Sequence, residues 1–526
     1  MGIIPSFIRS RLLRFFVAGC TLASLSLPLT ASSVPQPANP APVSPQGSNL
    51  EIMPPHPRLK DEIEHGIVVP PEGAPSENPN AAGLSRPGAN TSPEMSTATT
   101  TSGAQSFKVL TVLASFSDKP GVTSPSYFNN LLFADPVAGR GSVRDYYNEV
   151  SYGQVDISTN TSPTAWIDVG HPISDYDNNN YCYDGVYPNN CQKLAEDLVD
   201  MLDPTVNFAD YDNDGDGYVD TLVIVHAGRP AEYTGVRGQI WSHSWSLRNP
   251  RHYDGVWISD YVILPEYFND PTPGDMTIGV FAHELGHSLW NMPDLYDRDN
   301  SSEGIGNWSL MASGSWNGPG SMGDSPAWPD AWTRWVMGWI DPAWVTTSVE
   351  GEMIRPVDEA SPTDPQVYGI YNDQLGPGEF FMIENRQQTP GGYDEYLPGS
   401  GLLVWRIDHA MGYNQNDKEC TSQPRWTCSD YDHYLVALEQ ADGMLQLEYG
   451  YNRGDSGDPF ATSSYGIQTF SATSMPDTSS WYGSGSSLIE IEGISQSQSI
   501  ARAIVADIIV LTPRAYIPLT VTPPET

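Results

Sequence analysis

Residues 281–290 read FAHELGHSLW, with His283 and His287 four positions apart and Glu284 directly after the first histidine. On an α-helix that spacing is just over one turn, so both imidazoles project from one face and can grip one zinc ion. Glu284 sits about 100° further round the axis. It is placed to act on a water held by the metal rather than on the metal itself. The chemistry this implies is metal-assisted hydrolysis. Zinc with three protein ligands keeps one position open, lowers the pKa of a bound water to about 7 and polarises a carbonyl. Glu284 would be the general base, taking the water proton and passing it to a leaving amine.

Such a helix needs an apolar face, a start and a stop. Phe281, Leu285 and Leu289 recur at i, i+4 and i+8 and supply the face. Thr277 is the expected N-cap, and Pro293 ends the helix soon after the second histidine. Gly286 in mid-helix costs roughly 1 kcal/mol relative to alanine, which points to another backbone packed closely against it. Buried strands are expected at Phe107–Phe116, Leu222–His226 and Val256–Leu264, and helices at Ser142–Val150, Lys193–Leu202 and near Ala331–Trp339. The mixture indicates an α/β (α+β) catalytic domain over 106–340. The segment Gly304–Trp316 reads as a tight turn carrying Met311 beneath a metal site. From 341 to 513 strand-like runs at Met353–Val357, Phe380–Glu384, Gly401–Ile407 and Tyr434–Glu439 mark a β-rich region, with 514–526 as a tail.

Residues 210–220 read DYDNDGDGYVD. Carboxylates at alternate positions around glycines are what a calcium loop requires, because calcium takes six to eight oxygen ligands. In the favoured register Asp212, Asp214 and Asp216 take positions 1, 3 and 5, Gly217 position 6, the Tyr218 carbonyl position 7 and Asp220 position 9. A count starting at Asp210 competes with it. Position 12 is Val223, so the loop is not a complete EF-hand.

The N-terminus has the parts of an export signal over 1–33: Arg9, Arg11 and Arg14, an apolar run to about Leu29, then small residues. Residues 34–105 are rich in Pro, Ser and Thr and cannot build a core. An island from Met53 to His65 stands out within them, with the character of a short helix, and a propeptide shielding the site is one reading of the segment. Export makes two local disulfides the expectation, Cys182–Cys191 and Cys420–Cys428. The formal charge of −39, from 25 Lys+Arg against 64 Asp+Glu, argues against nucleic acid or an anionic membrane as partner. No transmembrane anchor is expected. The expected product is a secreted, extracellular monomer acting on protein or peptide substrates.

The ordered set of motifs resembles the immune inhibitor A family of secreted, metzincin-like zinc metallopeptidases. The matching pieces are KVLTVL from Lys108, SVRDYYNEVSYG from Ser142, DNDGDGYVD from Asp212, IWSH from Ile240, HELGH, PDLYD from Pro293, the Trp308–Trp316 turn, IENR from Ile383, GSGLLVWRID from Gly399 and EQADG from Glu439. The resemblance implies a zincin-like fold, zinc on His283 and His287, Glu284 as base and Met311 as the methionine of the turn under the metal. It implies Asp294 as third ligand. In the family a Gly-containing turn puts this Asp ten residues after the first histidine. Here Leu289–Met292 replaces that turn without glycine and Asp294 lies eleven residues on, leaving Asp297 as the nearest alternative. The rival reading is a secreted calcium-binding adhesion or recognition protein with a degenerate peptidase core. His226 and His243 are polar candidates near the site for which a structural role is the simpler expectation.

Overall fold

Continuous apolar runs such as Leu222–His226 need both faces covered, and the computed structural model covers them. It describes residues 50–71, 105–135, 141–183, 187–269, 273–298, 300–362, 364, 366–376, 378–411, 414, 433–461, 466–482, 486–496 and 502–511. The export signal, the tail and the Cys420–Cys428 pair lie outside these residues.

The first sheet has six strands in the order Glu51–Ile52, His243–Tyr253, Val256–Pro265, Leu222–His226, Leu110–Ser115 and Trp166–Asp168. Its last four strands run parallel, and His243–Tyr253 pairs antiparallel with Val256–Pro265. Every residue of Leu110–Ser115 and of Leu222–His226 is buried. The motif helix, Ile278–Trp290, packs on the two strands from 243 to 265 and on the helix Val143–Val150. Tyr147 of that second helix donates a hydrogen bond to the Ala282 carbonyl, 2.5 Å.

The second sheet has five strands in the order Val436–Leu438, Gly401–Asp408, Glu379–Arg386, Val367–Ile370 and Ala343–Val345. Side chains alternate across a strand, so one face carries Phe380, Met382, Leu403 and Trp405 and the other Phe381, Ile383, Leu402 and Val404. The first face belongs to the same hydrophobic core as the motif helix and first sheet. The second face packs with a three-stranded sheet of Val349–Ile354, Ile504–Val510 and Ile489–Glu492. The change of element type at residue 340 is therefore not a break in packing.

A buried ion network binds the two halves. Arg386 reaches Asp394 at 2.6 Å and Glu384 at 3.2 Å, and donates to the carbonyls of Trp308 and Trp328. Glu384 also pairs with Arg334 and accepts from Trp405 Nε1. The IENR run is thus structural: its arginine fixes the start of the turn that carries Met311.

Candidate metal centre

The motif helix places its two histidines on one face and the following chain brings a carboxylate back to them. His283 Nε2 and His287 Nε2 lie 3.1 Å apart, and Asp294 Oδ1 is 3.2 Å from each. All three side chains are buried. Each imidazole is oriented from behind: His283 Nδ1 donates to the Leu310 carbonyl at 2.9 Å and His287 Nδ1 to the Met292 carbonyl at 2.5 Å. Those bonds put the ring protons on Nδ1, so both Nε2 atoms present lone pairs. Three acceptors therefore face one another with no proton between them. This donor set fits one divalent cation, with two imidazoles and one carboxylate suiting zinc.

The turn that delivers Asp294 dispenses with glycine. Asn291 takes the left-handed conformation at the helix end, φ +54, and caps it by hydrogen bonds from 291–292 to the Gly286 and His287 carbonyls. Asparagine is the residue that best substitutes for glycine there. Asp297 is turned away, accepting from Ser301 Oγ and from the Ser302 N–H at 2.7 and 2.9 Å. The carboxylate that meets the histidines is Asp294. Its other oxygen is held by Arg298, 2.7 Å from Nη2, a contact that the motif alone did not reveal.

Glu284 is fully buried beside this cluster, and neither of its oxygens has a hydrogen-bond partner. Burial, then the charges of Asp294 and Glu232, push it well above the usual carboxylate range. Burial lowers His283.

Two expectations about the helix are corrected. Thr277 stands at the N-cap, but its hydroxyl caps nothing in the helix and donates to the Met322 carbonyl. Gly286 faces side chains rather than a backbone: a Cβ there would lie 3.0 Å from Met311 Sδ, 3.2 Å from Met292 Sδ and 3.2 Å from the Tyr147 hydroxyl. The close backbone approach is at Gly279, against the Ser315 carbonyl and Gly323. Met311 is buried under the helix, between the Leu310 carbonyl that orients His283 and the Met311 carbonyl that accepts from Leu295.

In the acidic loop, carboxylate oxygens of Asp212, Asp214 and Asp216 lie within 4.8 Å of one another. Gly215 and Gly217 have φ of +78 and +89, conformations that glycine adopts without strain. Asp220 is not with them: its Oδ2 accepts from the Asn213 N–H and amide at 2.6 and 2.8 Å. Tyr218 lies in a bridge with Trp257 whose hydrogen bonds run through Gly217 and Val219 and do not use the Tyr218 carbonyl. Asp210 faces Asn207, which argues against the register that starts there. Cys182 and Cys191 form a disulfide. His226 and His243 are fully buried, and His243 is held by the Trp241 carbonyl and the Tyr261 hydroxyl. Both fit structural roles.

The island at 50–68 lies over the site. Glu51–Ile52 pairs antiparallel with His243–Ser244 as a sixth strand. The Ile52 carbonyl accepts from Tyr296, whose ring is 6.4 Å from that of His283. Met53 and Pro54 carbonyls accept from the indoles of Trp241 and Trp316 at 2.8 and 2.9 Å. His56 is clamped between the rings of Tyr233 and Trp316, and Arg298 links Asp294 to Glu51 and to the Leu50 carbonyl. The expected helix is confined to Lys60–Glu64, after a single 3₁₀ turn at Pro57–Leu59.

The geometry defines a class before it defines a family: a two-histidine, one-carboxylate metal centre with an unpartnered glutamate beside it. Residues 97–340 match the family model described as immune inhibitor A peptidase M6, catalytic domain, and over that region the resemblance read from the motifs is borne out. The pre-pro-metalloprotease PrtV of Vibrio cholerae serotype O1 is 30% identical over 250 residues, 40% of this chain and 25% of that protein. Immune inhibitor A of Bacillus thuringiensis subsp. alesti is 30% identical over 207 residues, 33% of this chain and 28% of that protein. The chain spans about a quarter of the length of these relatives. Among the described residues no helix is long and apolar enough to cross a membrane.

Proposed function

We propose that the chain is a secreted zinc-dependent endopeptidase, with 106–340 as its zincin-like catalytic domain and the β-rich region as its buttress. The observation that carries this is the convergence of His283 Nε2, His287 Nε2 and Asp294 Oδ1 within 3.2 Å, all lone pairs, next to a buried glutamate with no partner. His283, His287 and Asp294 would hold the metal. When bound, zinc supplies an acidified water and a polarised carbonyl. Glu284, the unpartnered carboxyl group beside that position, would accept a proton and pass it to the amine that leaves. Leu310 and Met292 carbonyls fix the histidine rings, and Arg298 fixes Asp294, so no ligand must reorganise during turnover.

Residues 34–105 act as a propeptide in this reading. Its anchor at 50–68 lies where an extended substrate would add to the exposed edge of His243–Tyr253. Asp212, Asp214 and Asp216 bind a structural calcium ion, and the signal at 1–33 directs export.

The test is casein hydrolysis by the processed protein and by its Glu284→Ala variant, with calcium present and zinc content measured. The variant should keep zinc and lose on the order of 100- to 10,000-fold in rate. Equal activity in the two would turn the assignment toward a calcium-binding recognition protein with an inactive core.

A further inference from the structure

The segment over the metal centre is held by its main chain, with consecutive peptide carbonyls each taken by a different side chain of the body. The Ile52 carbonyl accepts from the Tyr296 hydroxyl, that of Met53 from Trp241 Nε1 at 2.8 Å, that of Pro54 from Trp316 Nε1 at 2.9 Å and that of Pro55 from Arg453 Nη1 at 3.1 Å. The N–H groups are met as well: Met53 donates to the Ser242 carbonyl at 3.0 Å and His56 to the Glu232 carbonyl at 2.9 Å. Glu232 in turn fixes Ser242, accepting from its N–H at 3.0 Å and from its hydroxyl at 2.5 Å. Pro54 and Pro55 bring no N–H of their own. Tyr296, Trp241 and Trp316 are all buried.

The run begins at the metal centre. Tyr296 follows Asp294 by two residues, and Arg298 joins Asp294 to Glu51 and to the Leu50 carbonyl. It ends in a slot: His56 stands edge-on to Tyr233 and Trp316, ring centroids 4.8 and 4.7 Å away, and its Nε2 donates to the Ser321 carbonyl at 2.8 Å. The proton is on Nε2 because Nδ1 accepts from the Arg58 N–H at 3.1 Å. Removal of 50–68 takes the partners from two indole N–H groups, a phenol hydroxyl and the Ser242 and Glu232 carbonyls. Buried polar groups left unpaired are destabilising, and another extended backbone satisfies the same set. The carbonyl contacts are indifferent to side chains, whereas the slot is not.

We propose that Tyr296, Trp241 and Trp316 are substrate-binding residues. After the segment leaves, they donate to consecutive carbonyls of an extended substrate peptide, and the slot between Tyr233 and Trp316 takes a flat substrate ring that carries an N–H or O–H, as His56 does. The preferred substrate thus has such a ring four residues beyond the one whose carbonyl meets Tyr296, the spacing from Ile52 to His56, and it accepts proline at the two positions before the ring. The proposal rests on the peptidase reading and adds to it the residues that select the substrate.

The test uses the processed protein, freed of 50–68, and the synthetic peptide LEIMPPHPR, which is residues 50–58. The peptide should compete with casein, and its His56→Ala counterpart should need a roughly tenfold higher concentration. Trp316→Phe keeps a ring in the slot and removes the N–H. It should weaken peptide inhibition and raise KM for casein by the same factor, roughly two- to tenfold, at unchanged kcat. Trp241→Phe should do likewise, and it decides if Trp316→Phe fails to fold. A tryptophan with a structural role alone would not move KM and peptide inhibition together while leaving kcat in place. With casein still cleaved by wild type, non-competitive inhibition, equal inhibition by the His56→Ala peptide, or an unchanged KM in the tryptophan variants overturns this proposal and leaves the peptidase reading standing. No casein hydrolysis by zinc-loaded wild type overturns the peptidase reading, and this proposal with it.

Discussion

The two carboxylate-bearing centres that the sequence singled out, one at 283–294 and one at 212–216, are built on opposite principles. The first is buried and its ligand atoms are acceptors facing acceptors; the ring N–H groups point the other way, donating to the Leu310 and Met292 carbonyls behind them. The second is partly exposed and already furnished with donors: Asp212 accepts from the N–H groups of Gly215, Asp216 and Gly217, and Asp216 from that of Tyr218. An acidic loop with its own backbone N–H groups and water can hold its shape without an ion. A dry cluster of three lone pairs cannot do so comfortably, since the charge it carries has no water to turn to. Metal dependence should accordingly be strong and all-or-none at the first centre and graded at the second.

The largest effect expected from breaking this contrast is at Asp294. Asp294→Ala removes a ligand, and zinc affinity should fall by more than the 10- to 100-fold that about accompanies loss of an outer partner. Arg298→Ala should show that smaller loss, because it frees only Oδ2. Zinc content after dialysis against a graded chelator series separates the two. Equal zinc retention in wild type and Asp294→Ala would remove Asp294 from the ligand set.

A smaller effect is expected at the acidic loop. A ligand that binds only the folded state stabilises it by about 2.7 kcal/mol at a hundredfold excess over its Kd. The rise in melting temperature on adding calcium should therefore be reduced in Asp212→Asn, while zinc content stays at the wild-type level. The comparison is between calcium responses, because Asp212→Asn also weakens three backbone hydrogen bonds in the calcium-free protein. An identical calcium response in variant and wild type would leave the loop as a self-capped turn.

The parts of this architecture legible in the sequence are those set by local pattern. Leu222–His226 and Leu110–Ser115 could be read because strands buried on both faces are continuously apolar. The helix could be read from its histidines and its apolar repeat. By contrast, the strand His243–Tyr253, with the sequence HSWSLRNPRHY, gives no such signal. Arginines and a proline demote it, and it is a strand because its neighbour pairs with it through an irregularity between Ser246 and Arg251. Asp294 was legible only through the family, since its placement depends on Asn291 adopting a left-handed conformation; an asparagine just past the last helical turn was the available clue. The network of Arg334, Glu384 and Arg386 joins residues 50 apart that no local pattern connects.

The smallest effect expected concerns how firmly the segment 50–68 is seated over the first centre, and it turns on His56. In place, His56 is lowered to about 4 by burial, with the Ser321 carbonyl opposing and Arg453 and Arg58 adding to the shift. Released, it returns to about 6.5. The docked state thus binds fewer protons than the released one. Docking is at full strength above about pH 6.5 and weakens as the pH falls, until near pH 4 both states are protonated. The imidazole also cannot keep all its contacts once charged, because its Nδ1 accepts from the Arg58 N–H at 3.1 Å. Hydrogen exchange at 50–68, corrected for intrinsic rates, should therefore become faster between pH 7 and pH 4.5, while exchange in the buried strand Leu222–His226 does not change. His56→Phe keeps a ring between Tyr233 and Trp316 and removes the titrating group, so it should abolish the pH dependence. A segment that loosens equally in wild type and His56→Phe would place the acid sensitivity in its carboxylate pairs, Glu51 with Arg298 and Lys60 with Glu303, instead of in the histidine.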